Sequence, residues 1–104
     1  MKDEEDNVRL SLYQKGGGYV YVLYSHKDGK RYTGLTTNLR ARLQMHAEGK
    51  VKSTKSRRPL ELVYYEWYKA YAMAVRRERY LKSYYGKCYL KKITQLAKED
   101  VRVK

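Results

Sequence analysis

The sequence predicts an α+β domain, and three observations carry that prediction. Tyr19–Tyr24 (YVYVLY) and Arg31–Thr36 (RYTGLT) are β-branched and aromatic runs on either side of an Asp-Gly dipeptide. Leu60–Trp67 (LELVYYEW) is a third such run, with a helix-like segment between it and the first two. Beyond it, apolar residues recur on a 3.6-residue period as far as Tyr85. A chain of 104 residues has room for one domain with a modest core.

Residues 1–18 are expected to form a flexible N-terminal extension, 19–98 the folded domain and 99–104 a tail. Gly16-Gly17-Gly18 separates the extension from the first strand. Because it precedes a strand and opens no helix, it is read as a joint and not as a phosphate-cradling loop.

The first two strands form a hairpin. Asp28-Gly29 accepts the positive φ of a two-residue turn, which sets Lys27 opposite Lys30, Tyr21 opposite Thr36 and Tyr32 opposite Ser25. Facing pairs share a side, so Tyr21 and Tyr32 fall on one face of the sheet. Thr36, Thr37 or Asn38 caps the next helix, Asn38 to Ala47, which stops at Gly49. Its apolar stripe is Leu39, Leu43 and Ala47, and Arg42 and His46 stack four apart at the edge of that stripe.

Gly49 to Arg58 (GKVKSTKSRR) is expected to be a loop, ended by Pro59. It holds five bases and no acid, so it is either a solvated loop or a phosphate-gripping one. The third strand carries apolar residues on both faces, as a strand covered by helices on both sides would. A helix from Ala70 to Tyr84 follows, with Tyr71, Ala74, Val75, Leu81 and Tyr85 as its stripe and Glu78 in the middle of it. Arg76, Arg77 and Arg79 project elsewhere. After Gly86, Lys87 to Lys98 forms a last, basic helix.

The chain carries 24 Lys and Arg against 11 Asp and Glu, a net charge of +13. Four of those acids lie in the first 15 residues, so the positive field belongs to the domain. Such a bias points to a polyanionic partner. DNA is the expected one, with RNA as the alternative, and Lys30, Arg31, Lys50, Lys52, Lys55, Arg57 and Arg58 are the candidate contacts. The 13 tyrosines, with one Trp and no Phe, can pack a ring and keep a hydroxyl wet, or stack on bases. Cys88 stands alone, which excludes a disulfide framework and a cysteine metal cluster. With no apolar run near 18 residues and no signal peptide, the expectation is a soluble, cytoplasmic protein with no membrane contact.

Glu78 is the sharpest chemical signal, because a carboxylate inside an apolar stripe costs several kcal/mol unless paired or bound to a cation. It either pairs with Lys82 at i+4 or binds a hard cation such as Mg²⁺ in a cleft where the stripe ends. Tyr21 and Tyr32 are either core aromatics or, beside Arg42, phenols whose ionisation neighbouring positive charge favours. His46 is a general base, a hydrogen-bond donor to phosphate or a bystander. His26, beside the turn, is a bystander. These residues can support a one-metal hydrolysis of a phosphodiester.

Tyr19-Val20-Tyr21 and Tyr32-Thr33-Gly34, with Arg42 and His46 in an R-x-x-x-H spacing and Glu78 on a later helix, resemble the motifs of the GIY-YIG nucleases. The segments RYTGLTTNLRARLQMHAEGK and KSTKSRRPLELVYYEWYKAYAMAVRRERYLKSYYGK are similar to the small stand-alone bacterial members. The resemblance covers residues 19 to about 92 and implies a three-stranded antiparallel sheet flanked by helices. It also implies one divalent ion, Mg²⁺ or Mn²⁺, bound by Glu78, and Tyr21 as leading candidate to activate water. Tyr32 and His46 would position water or phosphate, Arg42 would steady the phosphate charge, and Gly34 would leave space beside the second strand. Tyr19 and Thr33 replace the motif's first Gly and its Ile, and the late Asn of some relatives has no counterpart.

The expected activity is therefore a metal-dependent DNA endonuclease. The alternative is a non-catalytic nucleic-acid-binding module on the same fold. Damaged, branched, flapped and nonspecific DNA all remain as substrates, and targeting by an accessory protein or a homodimer is left open.

Overall fold

In the computed structural model, residues 17–103 are described, and the expectations for residues 1–16 and 104 lie outside them. The order is β1 (Gly18–Ser25), β2 (Arg31–Thr36), α1 (Leu39–Ala47), α2 (Lys52–Lys55), β3 (Leu60–Tyr68), α3 (Tyr71–Leu81) and α4 (Tyr84–Val103). The strands form one antiparallel sheet in the order β2-β1-β3. β1 is thus the central strand, and Val20, Tyr21 and Val22 in it are completely buried.

The hairpin register differs from the expected one by two residues. Tyr21 faces Gly34, Leu23 faces Tyr32 and Tyr24 faces Arg31. The connection is a longer loop than a two-residue turn, with only Gly29 at positive φ, 72°. Ser25 decides this. Its Oγ accepts from the backbone N–H groups of Lys27 (3.2 Å) and Asp28 (3.1 Å) and donates to the carbonyl of Arg57 (2.6 Å). A two-residue shift keeps every side chain on its own face, so Tyr21 and Tyr32 still share one side.

The two sides of the sheet are built differently. Val20 and Val22 pack with Ala74, Leu81 and Leu90, so α3 and α4 cover that side, with Leu35, Val63, Tyr64, Tyr68 and Ile93 around the cluster. Tyr71, Ala74, Val75 and Leu81 are buried, as the helical period predicts. Tyr21 points to the other side, toward α1. There the expected stripe of Leu39, Leu43 and Ala47 is not the buried face; within α1 it is His46 that is buried. Asn38 is the cap, its side chain accepting from the N–H of Ala41, and Gly49 ends the segment at φ 75°.

Two further elements depart from expectation. The segment after Gly49 contains the short helix α2, whose Thr54 is fully buried. The last helix begins before Gly86 and leaves Tyr85 exposed, outside the stripe assigned to it. Gly86 does not break the helix because it is where α4 crosses the end of α3. A Cβ there would lie 2.1 Å from the Tyr80 carbonyl and 2.5 Å from Leu81 Cα.

Backbone cannot yield as a side-chain end can. Gly86→Ala is therefore expected to cost roughly 1–3 kcal/mol by forcing α3 and α4 apart, against the gain a helix normally draws from alanine. Urea unfolding of the two proteins measures it; equal midpoints would show that the crossing is looser than described.

Candidate active site

The Tyr21 hydroxyl lies 2.7 Å from His46 Nε2, and the other ring nitrogen, Nδ1, lies 2.7 Å from Thr54 Oγ1. This chain joins β1, α1 and α2, and its members are 0 %, 1 % and 0 % exposed. Two tautomers of the neutral ring satisfy it. Either Tyr21 donates to Nε2 while Nδ1–H donates to Thr54, or Thr54 donates to Nδ1 while Nε2–H donates to Tyr21.

Tyr32, half-buried, closes the cluster, its ring centroid 5.4 Å from that of His46 and 6.5 Å from that of Tyr21. Gly34 gives Tyr21 its place. A Cβ at Gly34 would sit 2.4 Å from the Tyr21 hydroxyl and Cζ. The space that glycine leaves is therefore occupied by the first tyrosine itself.

Arg42 stands one helical turn before His46. Its Nη1 approaches Met45 Sδ at 3.9 Å, and its Nε is buried without a hydrogen-bond partner. Burial first, and the charge of Arg42 second, push the His46 pKa down to about 4. The imidazole is thus neutral at neutral pH. Tyr21, Tyr32, Arg42 and His46 are brought together as their spacing predicts.

Glu78 sits on the helix that covers the Val20 and Val22 side of the sheet, opposite the side that Tyr21 faces. It lies on α3, which packs against all three strands. Its side chain is 16 % exposed, and its Oε2 is 2.8 Å from Lys82 Nζ. The carboxylate is shielded, as its place in the stripe predicts, and it also makes the i,i+4 pair.

Several bases expected at the surface have fixed partners. Arg57 donates to Asp28 Oδ2 (2.7 Å), and that hydrogen bond, with one from the Lys30 N–H, holds the Asp28 pKa down to about 2. Arg58 donates to the carbonyls of Lys55 and Ala47, both at 3.1 Å. Arg31 donates to Thr94 Oγ1 (2.9 Å) and lies over the Tyr24 ring, while Lys50 pairs with Glu48 at 3.0 Å. Lys30, Lys52 and Lys55 are exposed. A groove of about 550 Å³ runs between Lys27, Lys55 and Arg58, with no acid in its lining.

Sequence reasoning missed two features. Thr54 carries no mark beyond its position in a basic segment, eight residues after His46. Glu66 is the other: Tyr64 and Tyr68 donate to it, and Arg77 reaches it through Nε (2.9 Å) and Nη2 (3.0 Å). Burial alone would raise the Glu66 pKa, but the bonds from Arg77, Tyr64 and Tyr68 outweigh it and hold the carboxyl below its usual value. Arg77 also lies between the rings of Tyr80 and Tyr89, 5.3 and 5.4 Å from their centroids. The alternation of Tyr64, Glu66 and Tyr68 on one face of β3 was the available signal.

The family model of the GIY-YIG catalytic domain matches residues 17–93. A UPF0213 protein of Staphylococcus haemolyticus is 44 % identical over 78 residues, which are 74 % of this chain and 94 % of that protein. A UPF0213 protein of Bacillus pumilus is 37 % identical over 91 residues, 86 % of this chain and 87 % of the relative. The solution NMR structure of a UPF0213 protein from Bacillus halodurans is 38 % identical, with a TM-score of 0.47 over 74 % of this chain and 84 % of that one.

The lowered His46 pKa makes stability depend on pH in a set direction. Above about pH 6.5 folded and unfolded chains both hold a neutral imidazole. As pH falls from there toward the folded value of about 4, the unfolded chain takes up a proton that the folded one refuses. The expected loss from His46 by pH 4.5 is about 2–3 kcal/mol, to which the lowered carboxyls of Asp28, Glu48 and Glu66 begin to add. Urea melts at pH 7 and 4.5 should show it in the wild type and a flatter profile in His46→Gln; parallel profiles would remove His46 as the cause.

Proposed function

This chain belongs to the GIY-YIG catalytic-domain family, and from that premise we propose that it is a metal-dependent endonuclease hydrolysing DNA phosphodiester bonds. The observation that carries the reading is the sealed hydrogen bond between Tyr21 and His46, with Tyr32 and Arg42 against it. A solvated tyrosine is a poor base at neutral pH. Joined to a neutral imidazole in the tautomer that accepts at Nε2, and once substrate binding opens its hydroxyl to water, Tyr21 can pass its own proton to Nε2 as it takes one from water, so the attacking oxygen bonds to phosphorus without a free phenolate. The bond to the leaving oxygen breaks, that oxygen is protonated from solvent, and His46 returns its extra proton to solvent through Tyr21. Tyr32, the less buried phenol, meets water and phosphate first.

Arg42 supplies the charge that phosphate requires, and its fork suits two phosphate oxygens. An anion there also offsets the charge that lowers His46, so substrate makes the imidazole a better proton acceptor at the moment it is used. The basic groove at Lys27, Lys55 and Arg58, with exposed Lys30 and Lys52, holds the flanking backbone.

A divalent cation fits the residues present in one form. Among the described residues no three His, Cys, Asp or Glu side chains come together, so a cage of protein ligands is not what this site offers. Glu78 is a single shielded carboxylate from which Lys82 would have to withdraw; one such ligand suits a Mg²⁺ or Mn²⁺ that keeps several waters and shares the substrate phosphate. Bound there, the ion would polarise the phosphate and neutralise developing charge.

A second reading, a nucleic-acid-binding module without chemistry, is favoured by one observation: Glu78 is paired with Lys82 and Tyr21 is sealed. Among the described residues no helix is long and apolar enough to cross a membrane.

Purified protein with Mg²⁺ or Mn²⁺ is expected to nick DNA, and Glu78→Ala and Tyr21→Phe to lose roughly 100-fold or more of that rate while still binding DNA. If both variants cut like wild type, the assignment of the site fails; if no substrate is cut but binding falls steeply with salt, the second reading holds. A separate titration reads the coupling to Arg42. NMR of His46 should show its pKa rising from about 4 when a phosphodiester is added, and an unchanged value would place the anion elsewhere.

A further inference from the structure

The sheet face that carries Tyr21 continues into an uncovered aromatic surface. Tyr19 lies two residues earlier on β1 and shares that face, roughly 7 Å away along the strand. Across the strands Tyr19 faces Trp67 and Tyr21 faces Tyr65. The rings of Tyr19 and Tyr65 stand 6.1 Å apart. Tyr65 and Trp67 each leave 53 % of their surface exposed, which packing does not require. From α1, Leu39 and Leu43 form the facing wall, and Arg40 and Gln44 complete the lining of a groove of about 520 Å³.

We infer that this groove binds the bases of an unpaired stretch of DNA next to the scissile phosphate, an inference that rests on the nuclease reading. The occupant is chosen by chemistry and by place. Exposed aromatic rings beside aliphatic side chains bind a flat base on its face, whichever base it is. Arg40 in the lining, on a chain of net charge +13, attracts a polyanion and repels a second copy. The groove is built from β1, α1 and β3, and the first two of these hold Tyr21, Arg42 and His46. A strand with one phosphate at the tyrosines therefore lays its neighbouring nucleotide over Tyr19 and Tyr65. A duplex keeps its bases stacked on one another and offers this surface no ring.

Trp67, the only tryptophan in the chain, stands opposite Tyr19, which lines the groove, so its fluorescence reports on a ring held beside it. The test titrates wild-type protein, in EDTA, with a short mixed-sequence single strand, with its duplex, and with an abasic strand of equal length and charge. The single strand should quench Trp67, and Tyr65→Ala should weaken that binding by roughly tenfold without changing affinity for the abasic strand. Equal quenching by the duplex or by the abasic strand would overturn the inference. So would a Trp67 signal that changes with protein concentration alone, which marks contact between copies. With no metal present the result does not depend on cleavage. Base-dependent quenching in a protein that never cuts would sink the nuclease reading and keep the groove, and cutting without base-dependent quenching would do the reverse.

Discussion

The constraint on which the rest of this structure depends is the buried hydrogen bond between Tyr21 and His46, 2.7 Å long and spanning 25 residues of sequence. It ties the central strand to a helix that has little else to hold it, since His46 is the buried residue of α1. A phenol and an imidazole can be taken out of water only if each satisfies the other. The bond also fixes what must surround it. Gly34 has no side chain because the Tyr21 ring fills that place, and Thr54 must be delivered to Nδ1 by a short helix. Two separated features, Gly34 and Thr54, are thus consequences of one polar contact.

The two sides of the sheet divide the work. Under α3 and α4, Val20 and Val22 join an apolar cluster that supplies the fold. Even the polar insertion on that side, Glu66, is closed off by two phenols and a guanidinium, so nothing in it is left to bind a ligand. On the other side the packing is incomplete. Polar groups are buried around Tyr21, while Tyr65 and Trp67 remain in water, so β3 is not covered on both faces as its sequence suggests. The second side can carry buried polar groups and uncovered rings because the apolar cluster on the first supplies the packing.

How far the sequence reveals this depends on the range of the interaction. Local signals were legible: strand alternation, the Asn38 cap, the positive φ of Gly29 and Gly49, and the stripe from Tyr71 to Leu81. The shared face of Tyr21 and Tyr32 was legible even though the register was not, because the error was an even number of residues. What escaped depends on long-range partners. Ser25 lengthens the turn by reaching Arg57, Gly86 sits inside a helix because a Cβ there would strike Tyr80 and Leu81, and Thr54 is defined only by the histidine it meets. Leu39 and Leu43 form a proper helical stripe, and period alone does not say whether such a stripe faces a core or a groove.

Charge follows the same rule that a residue's partner decides its use. Of the bases read as nucleic-acid contacts, Arg57 and Lys50 are matched to carboxylates, those of Asp28 and Glu48. Arg31 and Arg58 are held by a hydroxyl and by carbonyls, which fix the guanidinium without cancelling it. Lys30, Lys52 and Lys55 are exposed. A polyanion approaching this surface therefore meets cations of which some are already oriented and most are not neutralised. Orientation made in advance lowers the entropy lost on binding. The arginines that look least available, because a hydroxyl or carbonyls of the chain already hold them, are in that sense the ones best prepared to meet a phosphate.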